Sequence, residues 1–235
     1  MAIVGTNLTS GANDSGTDSE STASISPTGN SLILAAVSSR RGDTTTPAAP
    51  TVSGNGLTWV QINTIAYDES SSSQRRLTVF RALGASPSTG TITFTFPGNQ
   101  TDVAWSIDEF SGVDTSGTNG SGAIVQSAVN EDEAASSNSL TVTLSAFGSA
   151  NNATYGTFAT SGVQTPTAGT GFAILANATI NARQQTITEW RNDNDTSVDI
   201  SFPLDEQMGG IAIEIKAAVA AGTYVGSYIG PSGYF

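Results

Sequence analysis

The chain has 235 residues, of which 20 are Asp or Glu and 8 are Lys or Arg, so its formal net charge is −12. This acidic balance repels backbone phosphates and argues against nucleic acid as a partner. Cysteine and histidine are both absent, which excludes disulfides, thiolate nucleophiles, Cys-ligated zinc and the Ser-His-Asp constellation. The length fits one large all-β domain or two small ones.

The N-terminal stretch, residues 1–20, is rich in Gly, Ser, Thr, Asn and Asp. This composition predicts a loop-like or extended arm. The stretch has neither the basic region nor the apolar region of a secretory signal, and no window of the chain reaches transmembrane length. We therefore expect no membrane insertion and, if Met1 is the true start, synthesis in a cytoplasm without a Sec-type signal.

The segment 21–218 carries the pattern of β-strands. Ile92, Phe94 and Phe96 alternate with threonines, which is typical of a half-buried antiparallel strand. The same period of two recurs later, and two earlier apolar runs also predict strands; these segments are 31–38, 57–67, 140–144, 198–202 and 211–215. No long window has a 3.6-residue period. The sequence therefore predicts an all-β, antiparallel, jelly-roll-like β-sandwich with few or no helices.

The two halves of this segment resemble each other. "RRLTVFRA" followed by "TITFTFPGNQ" is similar to "RQQTITEWR" followed by "SVDISFPLDEQ". An ungapped continuation of this match aligns Phe96, Trp105 and Ile107 with Phe202, Ile211 and Ile213. The likeness predicts an internal duplication with a seam near 112–138. Shared Ser/Thr-rich composition is the alternative explanation, and both stay open at this point.

Two runs, "NGLTW" at 55–59 and "AWSIDEFSGVD" at 104–114, are the most distinctive part of the strand order. With the strands around them they resemble the jelly-roll-like β-sandwich domains of phage appendage and decoration proteins and of secreted bacterial proteins. The runs have the character of core strands and turns, so the resemblance is to a scaffold. It implies a passive binding or structural module.

The C-terminal segment 219–235 differs from the rest of the chain. From Gly222 onward it carries no charged residue, and it contains four aromatic residues. Aromatic side chains supply large contact area and glycines let backbones approach closely. We therefore predict an assembly tail whose contacts are made by Tyr224, Tyr228, Tyr234 and Phe235. The alternative is a strand added to the protein's own sheet.

Two kinds of ligand site remain open. Trp190 is flanked by charged residues beside a polar loop, so it is the candidate for an exposed, sugar-stacking aromatic. Acidic turns offer hard oxygen ligands to calcium, although neither turn matches an EF-hand loop. The candidate ligands are Asp193, Asp195, Glu131 and Asp132. We otherwise expect no cofactor.

Two short features have plainer interpretations. The tripeptide Arg41-Gly42-Asp43 occurs in some cell-adhesion ligands, but it is also an ordinary turn after a strand. Lys216 follows the last strand, where a solvated lysine is expected and an intramolecular isopeptide bond to an Asn is the alternative.

Together these observations lead to the hypothesis of a non-enzymatic virion structural protein, either a capsid decoration protein or a tail or fibre subunit of a tailed phage. The expected partners are the protein itself, as a homo-oligomer such as a trimer, and other virion proteins such as a major capsid protein. One alternative is a carbohydrate-binding or adhesive module of a secreted bacterial protein. Another is the subunit of a self-assembling surface filament.

Overall fold

The computed structural model describes residues 2–69 and 72–219. This part of the chain contains sixteen β-strands and one short 3-10 helix, Ser121–Ala123, which confirms the all-β prediction. The strands are β1 (Val4–Asn13), β2 (Thr17–Ser21), β3 (Leu32–Arg40), β4 (Thr51–Gly54), β5 (Val60–Tyr67), β6 (Arg75–Ala82), β7 (Ile92–Gln100), β8 (Asp102–Ser111), β9 (Ile124–Asp132), β10 (Ser139–Thr143), β11 (Ala153–Thr160), β12 (Thr167–Ala168), β13 (Ala173–Ile180), β14 (Gln184–Arg191), β15 (Ser197–Ser201) and β16 (Met208–Ile215).

The first eight strands form a jelly-roll-like unit. One sheet has the order β1-β8-β3-β6-β5 and the other has the order β2-β7-β4. All pairs are antiparallel, and the pairs β1 with β8, β2 with β7 and β3 with β6 are nested within one another. This nesting is what results when a long strand hairpin is rolled into two facing sheets.

The last eight strands repeat the arrangement. Their sheets have the orders β9-β16-β11-β14-β13 and β10-β15-β12, so each strand number of the first unit is simply raised by eight. Residues 112–123 link the two units, and β9 already belongs to the second. The structure therefore holds two units of identical topology in tandem.

The predicted N-terminal arm lies inside the first unit. Residues 4–13 form β1, which pairs along its length with β8, and residues 17–21 form β2, which pairs with β7. Both are edge strands, with one side unpaired in the sheet. An edge strand needs little apolar character on its outer side. This explains why residues 1–20 have the composition of a loop although they form two strands.

Four layers of sheet enclose three large apolar cores, and a smaller apolar cluster of Ala104, Ala178 and Ile180 joins β8 to β13. Phe94 and Trp105 belong to the core of the first unit, and Phe158 and Val198 belong to the core of the second. A third core lies between the two five-stranded sheets, where Tyr67 is among its fully buried members. The inner strands β3, β11 and β16 are consequently buried on both faces, whereas β7 and β10 alternate between core and solvent.

The two units face each other in a reciprocal way. β1 contacts β13, and the equivalent pair, β9 with β5, is also in contact. Likewise β8 contacts β13 and β14, while its equivalent β16 contacts β5 and β6. Each contact between the units therefore has its counterpart with the roles of the two units exchanged. This is the pattern of an isologous two-fold interface, here formed within one chain.

The ungapped alignment of the two halves beyond Phe96 and Phe202 is wrong by one residue. Trp105 and Ile107 face the core of their own unit, whereas Ile211 and Ile213 face the core between the units. Because side chains alternate along a strand, a shift of one residue reverses the face of each side chain.

The outer strands of both five-stranded sheets carry a β-bulge. In each strand one residue is left out of the regular pairing with its neighbour; these residues are Leu8 in β1, Ile62 in β5, Val125 in β9 and Leu175 in β13. Bulges bend a strand and re-aim its side chains, and at a sheet edge they discourage further strand pairing. The same feature therefore recurs at equivalent edges of both units.

Candidate assembly site

The chain leaves the second unit at a fixed place. After β16, the backbone N–H of Lys216 donates to the carbonyl of Ala123 at 2.9 Å, and that of Ala218 donates to the carbonyl of Gly112, also at 2.9 Å. Both acceptors lie in the segment that links the two units. These bonds hold the chain up to Val219, the last described residue, against the linker.

A cavity of about 610 Å³ lies beside this exit, and we call it the exit pocket. It is lined by Gly122, Ile124, Val125, Gly148, Ser149, Asn151, Asn152, Glu214, Lys216, Ala217, Ala218 and Val219. Two of its valines are unusually open to solvent, with Val125 49% and Val219 84% exposed. Val125 is the bulge residue of β9, so the irregularity of the edge strand places an apolar side chain at the pocket.

The polar groups of the exit pocket bond to one another. Glu214 is fully buried and accepts hydrogen bonds from Gln126 Nε2 at 2.7 Å and Asn152 Nδ2 at 2.6 Å. Asn152 Oδ1 accepts the backbone N–H of Ala217 at 3.1 Å. The buried carboxyl group of Glu214 is therefore hydrogen-bonded within the wall, while the two valines are exposed beside Lys216, whose side chain is 46% exposed.

Lys216 forms an ion pair with Asp114. Its Nζ lies 2.7 Å from Asp114 Oδ2. The hydrogen bond from Lys216, together with bonds from Ser116, lowers the pKa of Asp114 to about 2. Asp114 is thus ionised at neutral pH, and the pair joins the linker to the end of β16 electrostatically.

The predicted tail contacts, Tyr224, Tyr228, Tyr234 and Phe235, lie outside the described residues. The glycan candidate, Trp190, is described and is half-buried between the two units. Its ring meets that of Phe110 edge to face, with centroids 5.9 Å apart. It also lies so close to Gly5 that a Cβ there would come within 2.9 Å of the indole. Part of the ring is therefore covered by the protein.

The calcium candidates are distributed over two separate turns. Asp193 and Asp195 both pair with Arg191, through Nη2 to Asp193 Oδ2 at 2.7 Å and through Nη1 to Asp195 Oδ2 at 2.5 Å. Asp132 instead closes the turn after β9 by accepting the N–H groups of Ala134 and Ser136.

The fourth calcium candidate, Glu131, is exposed near the end of β9. Within the described ranges no three acidic side chains gather into a cation-binding group.

The Arg41-Gly42-Asp43 tripeptide forms a closed turn. Arg41 Nη2 pairs with Asp43 Oδ2 at 3.0 Å, and the N–H of Gly42 donates to Thr101 Oγ1 at 2.8 Å. The two charged side chains that an adhesion receptor would read therefore bind each other. This geometry favours the interpretation as an ordinary turn.

The burial of Asp108 and of Glu189 was not predicted from the sequence. Asp108 lies between the units and accepts hydrogen bonds from Asn7 Nδ2 at 2.8 Å and from Tyr155 Oη at 3.1 Å. Its burial raises its pKa to about 6, although these bonds oppose the shift. Glu189 is fully buried in the second unit. An acid in an alternating strand normally lies on the solvent face of its sheet. Only the structure shows that another sheet covers this face at both residues.

No protein-family model matches this chain, and a search of curated proteins found no match either. In the described part of the chain, no helix has the length and apolar character needed to cross a membrane. The fold therefore defines the class at the level of architecture alone: two jelly-roll-like β-sandwiches in tandem, joined face to face.

Proposed function

We propose that this protein is a non-enzymatic structural subunit of a virion. It decorates a capsid or forms part of the tail or fibre of a tailed phage, and it acts through contacts between subunits. The observation that carries the proposal is the end of the described chain. There a rigid double sandwich leads, beside an apolar pocket, into an uncharged segment with four aromatic residues.

The joint between the units supports this role because it is built to be rigid. Besides the apolar core, polar bonds cross the interface: Tyr155 donates to Asp108, Gln184 Nε2 donates to Ser38 Oγ at 2.7 Å, and Arg183 pairs with the fully buried Asp102 at 2.8 Å. Separating the two units would break all three of these bonds, which is costly. A subunit that must hold a fixed position in a particle benefits from one rigid body.

The proposed partners are other copies of the chain and other virion proteins, such as a major capsid protein, and the place of action is the virion. The net charge of −12 favours a partner with a basic surface.

The test is density-gradient sedimentation of the labelled protein with particles from a lysate of the cell that carries its gene. We expect the full-length protein to band with the particles at a saturable, fixed stoichiometry that excess unlabelled protein reduces. A protein that stays at the top of the gradient at all concentrations contradicts the virion role.

Two further measurements separate the alternatives. If the protein binds a glycan array and loses that binding in Trp190→Ala, the adhesive module replaces this proposal. If the purified subunit forms filaments without any particle, the surface filament replaces it.

A further inference from the structure

We infer that the exit pocket is the receptor for the C-terminal segment 220–235 of a second copy of this chain, so that two copies exchange their C-terminal segments. The inference rests on the proposed assembly role and names the surface through which it operates. Neither the sequence pattern nor the fold alone locates that surface.

The chemistry of the exit pocket matches that segment. The pocket exposes Val125 and Val219, and its buried carboxyl group, Glu214, is already hydrogen-bonded by two side-chain amides. Lys216 in the wall pairs with Asp114. The segment that continues from Val219 is uncharged and carries Tyr and Phe side chains. The volume of the pocket, about 610 Å³, falls within the range of roughly 300–1,000 Å³ that is usual for small-molecule pockets. This space is enough for aromatic side chains.

The position of the exit gives a second copy access to both the pocket and the segment. Ala217, Ala218 and Val219 themselves form part of the pocket wall and are tied to the linker by the backbone bond from Ala218 to Gly112. Val219 is 84% exposed, so the described chain ends on the solvent side of this wall. Because each copy has both parts, two copies related by a two-fold axis make the contact twice.

The edge strand beside the pocket favours insertion of side chains over strand pairing. The bulge at Val125 discourages simple strand addition at the β9 edge, so insertion of side chains is the mode that fits.

The test uses cysteine trapping in the full-length protein, which has no native cysteine to interfere. One chain carries Val125→Cys, and an isotope-labelled chain carries Tyr224→Cys, Tyr228→Cys or Tyr234→Cys. The matched control is Val129→Cys, which is also exposed on β9 but does not line the exit pocket. Mixed chains are oxidised mildly, and the linked peptides are identified by mass spectrometry. A chain with both Val125→Cys and a tail cysteine is oxidised separately.

We expect linked peptides between Val125→Cys and at least one tail cysteine of the other chain, at a yield at least tenfold above the Val129→Cys control, and a covalent dimer from the doubly substituted chain. A covalent monomer from that chain overturns the inference, because the segment would then occupy its own pocket. Equal yields with the control, or no link with any of the three tail positions, also overturn it. If the protein fails this test but still bands with the particles, the virion role stands and only the exit pocket is rejected as the receptor.

Discussion

Glu189 shows how the two-layer architecture changes the chemistry of a single side chain. It lies on β14 and points into the core of the second unit, where its Cγ is 3.3 Å from the position that a Cβ on Gly156 would take. Burial, together with the nearby carboxylate of Asp199, raises the pKa of Glu189 to about 8, against the opposing effect of the Gly169 backbone N–H. Glu189 is therefore largely protonated in the folded protein at neutral pH.

This pKa makes the stability of the protein depend on pH. In the unfolded chain Glu189 titrates near its ordinary value, so between about pH 4.5 and pH 8 the folded state holds a proton that the unfolded state has lost. The free energy of unfolding then falls as pH rises, by up to about 1.4 kcal/mol per pH unit from this group. Asp108, whose pKa is raised to about 6, adds a further decline in the free energy of unfolding over a lower range of pH.

We predict that Glu189→Gln removes part of this decline. Relative to the wild type, the variant gains stability progressively from about pH 5 to pH 8, because it has no carboxyl group to ionise in the core. Urea unfolding at several pH values measures the difference, with Glu131→Gln as a control at an exposed acid. A stability difference that does not change with pH would show that Glu189 is ionised in the folded state.

A second prediction concerns the bond from Tyr155 to Asp108 across the two units. Tyr155→Phe removes a donor to a buried carboxyl group, and we expect a loss of about 1–3 kcal/mol in the free energy of unfolding. In an Asp108→Asn background the loss should be smaller, because a neutral acceptor needs the donor less. A double-mutant cycle by urea unfolding measures this coupling, and additive effects would contradict it.

At the scale of the elements, the sequence predicted what depends on local periodicity. β7 and β10 alternate as their sequences do, and the continuous apolar run at 31–38 is the doubly buried β3. The edge strands β1 and β9 were missed, because bulges interrupt their alternation and their outer sides are polar. Edge strands are defined by a distant partner, and a single sequence does not contain that information.

Close packing of the second unit gives a third prediction. A Cβ on Gly210 of β16 would lie 2.8 Å from Val142 Cγ2 and 2.9 Å from Phe158 Cδ1, so the two sheets are too close for a side chain there. Gly210→Ala should lower the free energy of unfolding by about 1–3 kcal/mol, as overpacking does. Gly148→Ala is the control, since no described atom would lie within 4 Å of its Cβ. Equal stabilities of the two variants would contradict this packing.

At the scale of the whole molecule, the sequence indicated a repeated strand unit but not how two units combine. The likeness between the halves holds in β7 and its equivalent β15, whose alternating apolar residues face the core of their own unit. In β6 and β14 the matched strings align Val79, which faces the core between the units, with Ile187, which faces the core of the second unit. The one-residue error beyond Phe96 arose because the facing of β8 and β16 depends on the length of the preceding turn. Their mutual packing through the five-stranded sheets follows only from the three-dimensional contacts.

The candidate site was predictable in part. The uncharged aromatic segment stood out by composition alone, whereas its receptor combines the bulge at Val125, the linker at Gly122 and the end of β16. The end of β16 is about ninety residues from the other two pieces in the sequence, and only the fold brings it to them.

The most direct test of the assembly role is the molar mass of the full-length protein by size-exclusion chromatography with light scattering, beside Val125→Asp and Val129→Asp. Both valines are exposed on β9, but only Val125 lines the exit pocket, so a charge there should block the apolar contact while leaving the fold intact. We predict a dimer for the wild type and for Val129→Asp, and a folded monomer for Val125→Asp. A monomeric wild type, or a Val125→Asp variant that remains dimeric, would contradict the proposal that copies of this chain assemble through the exit pocket.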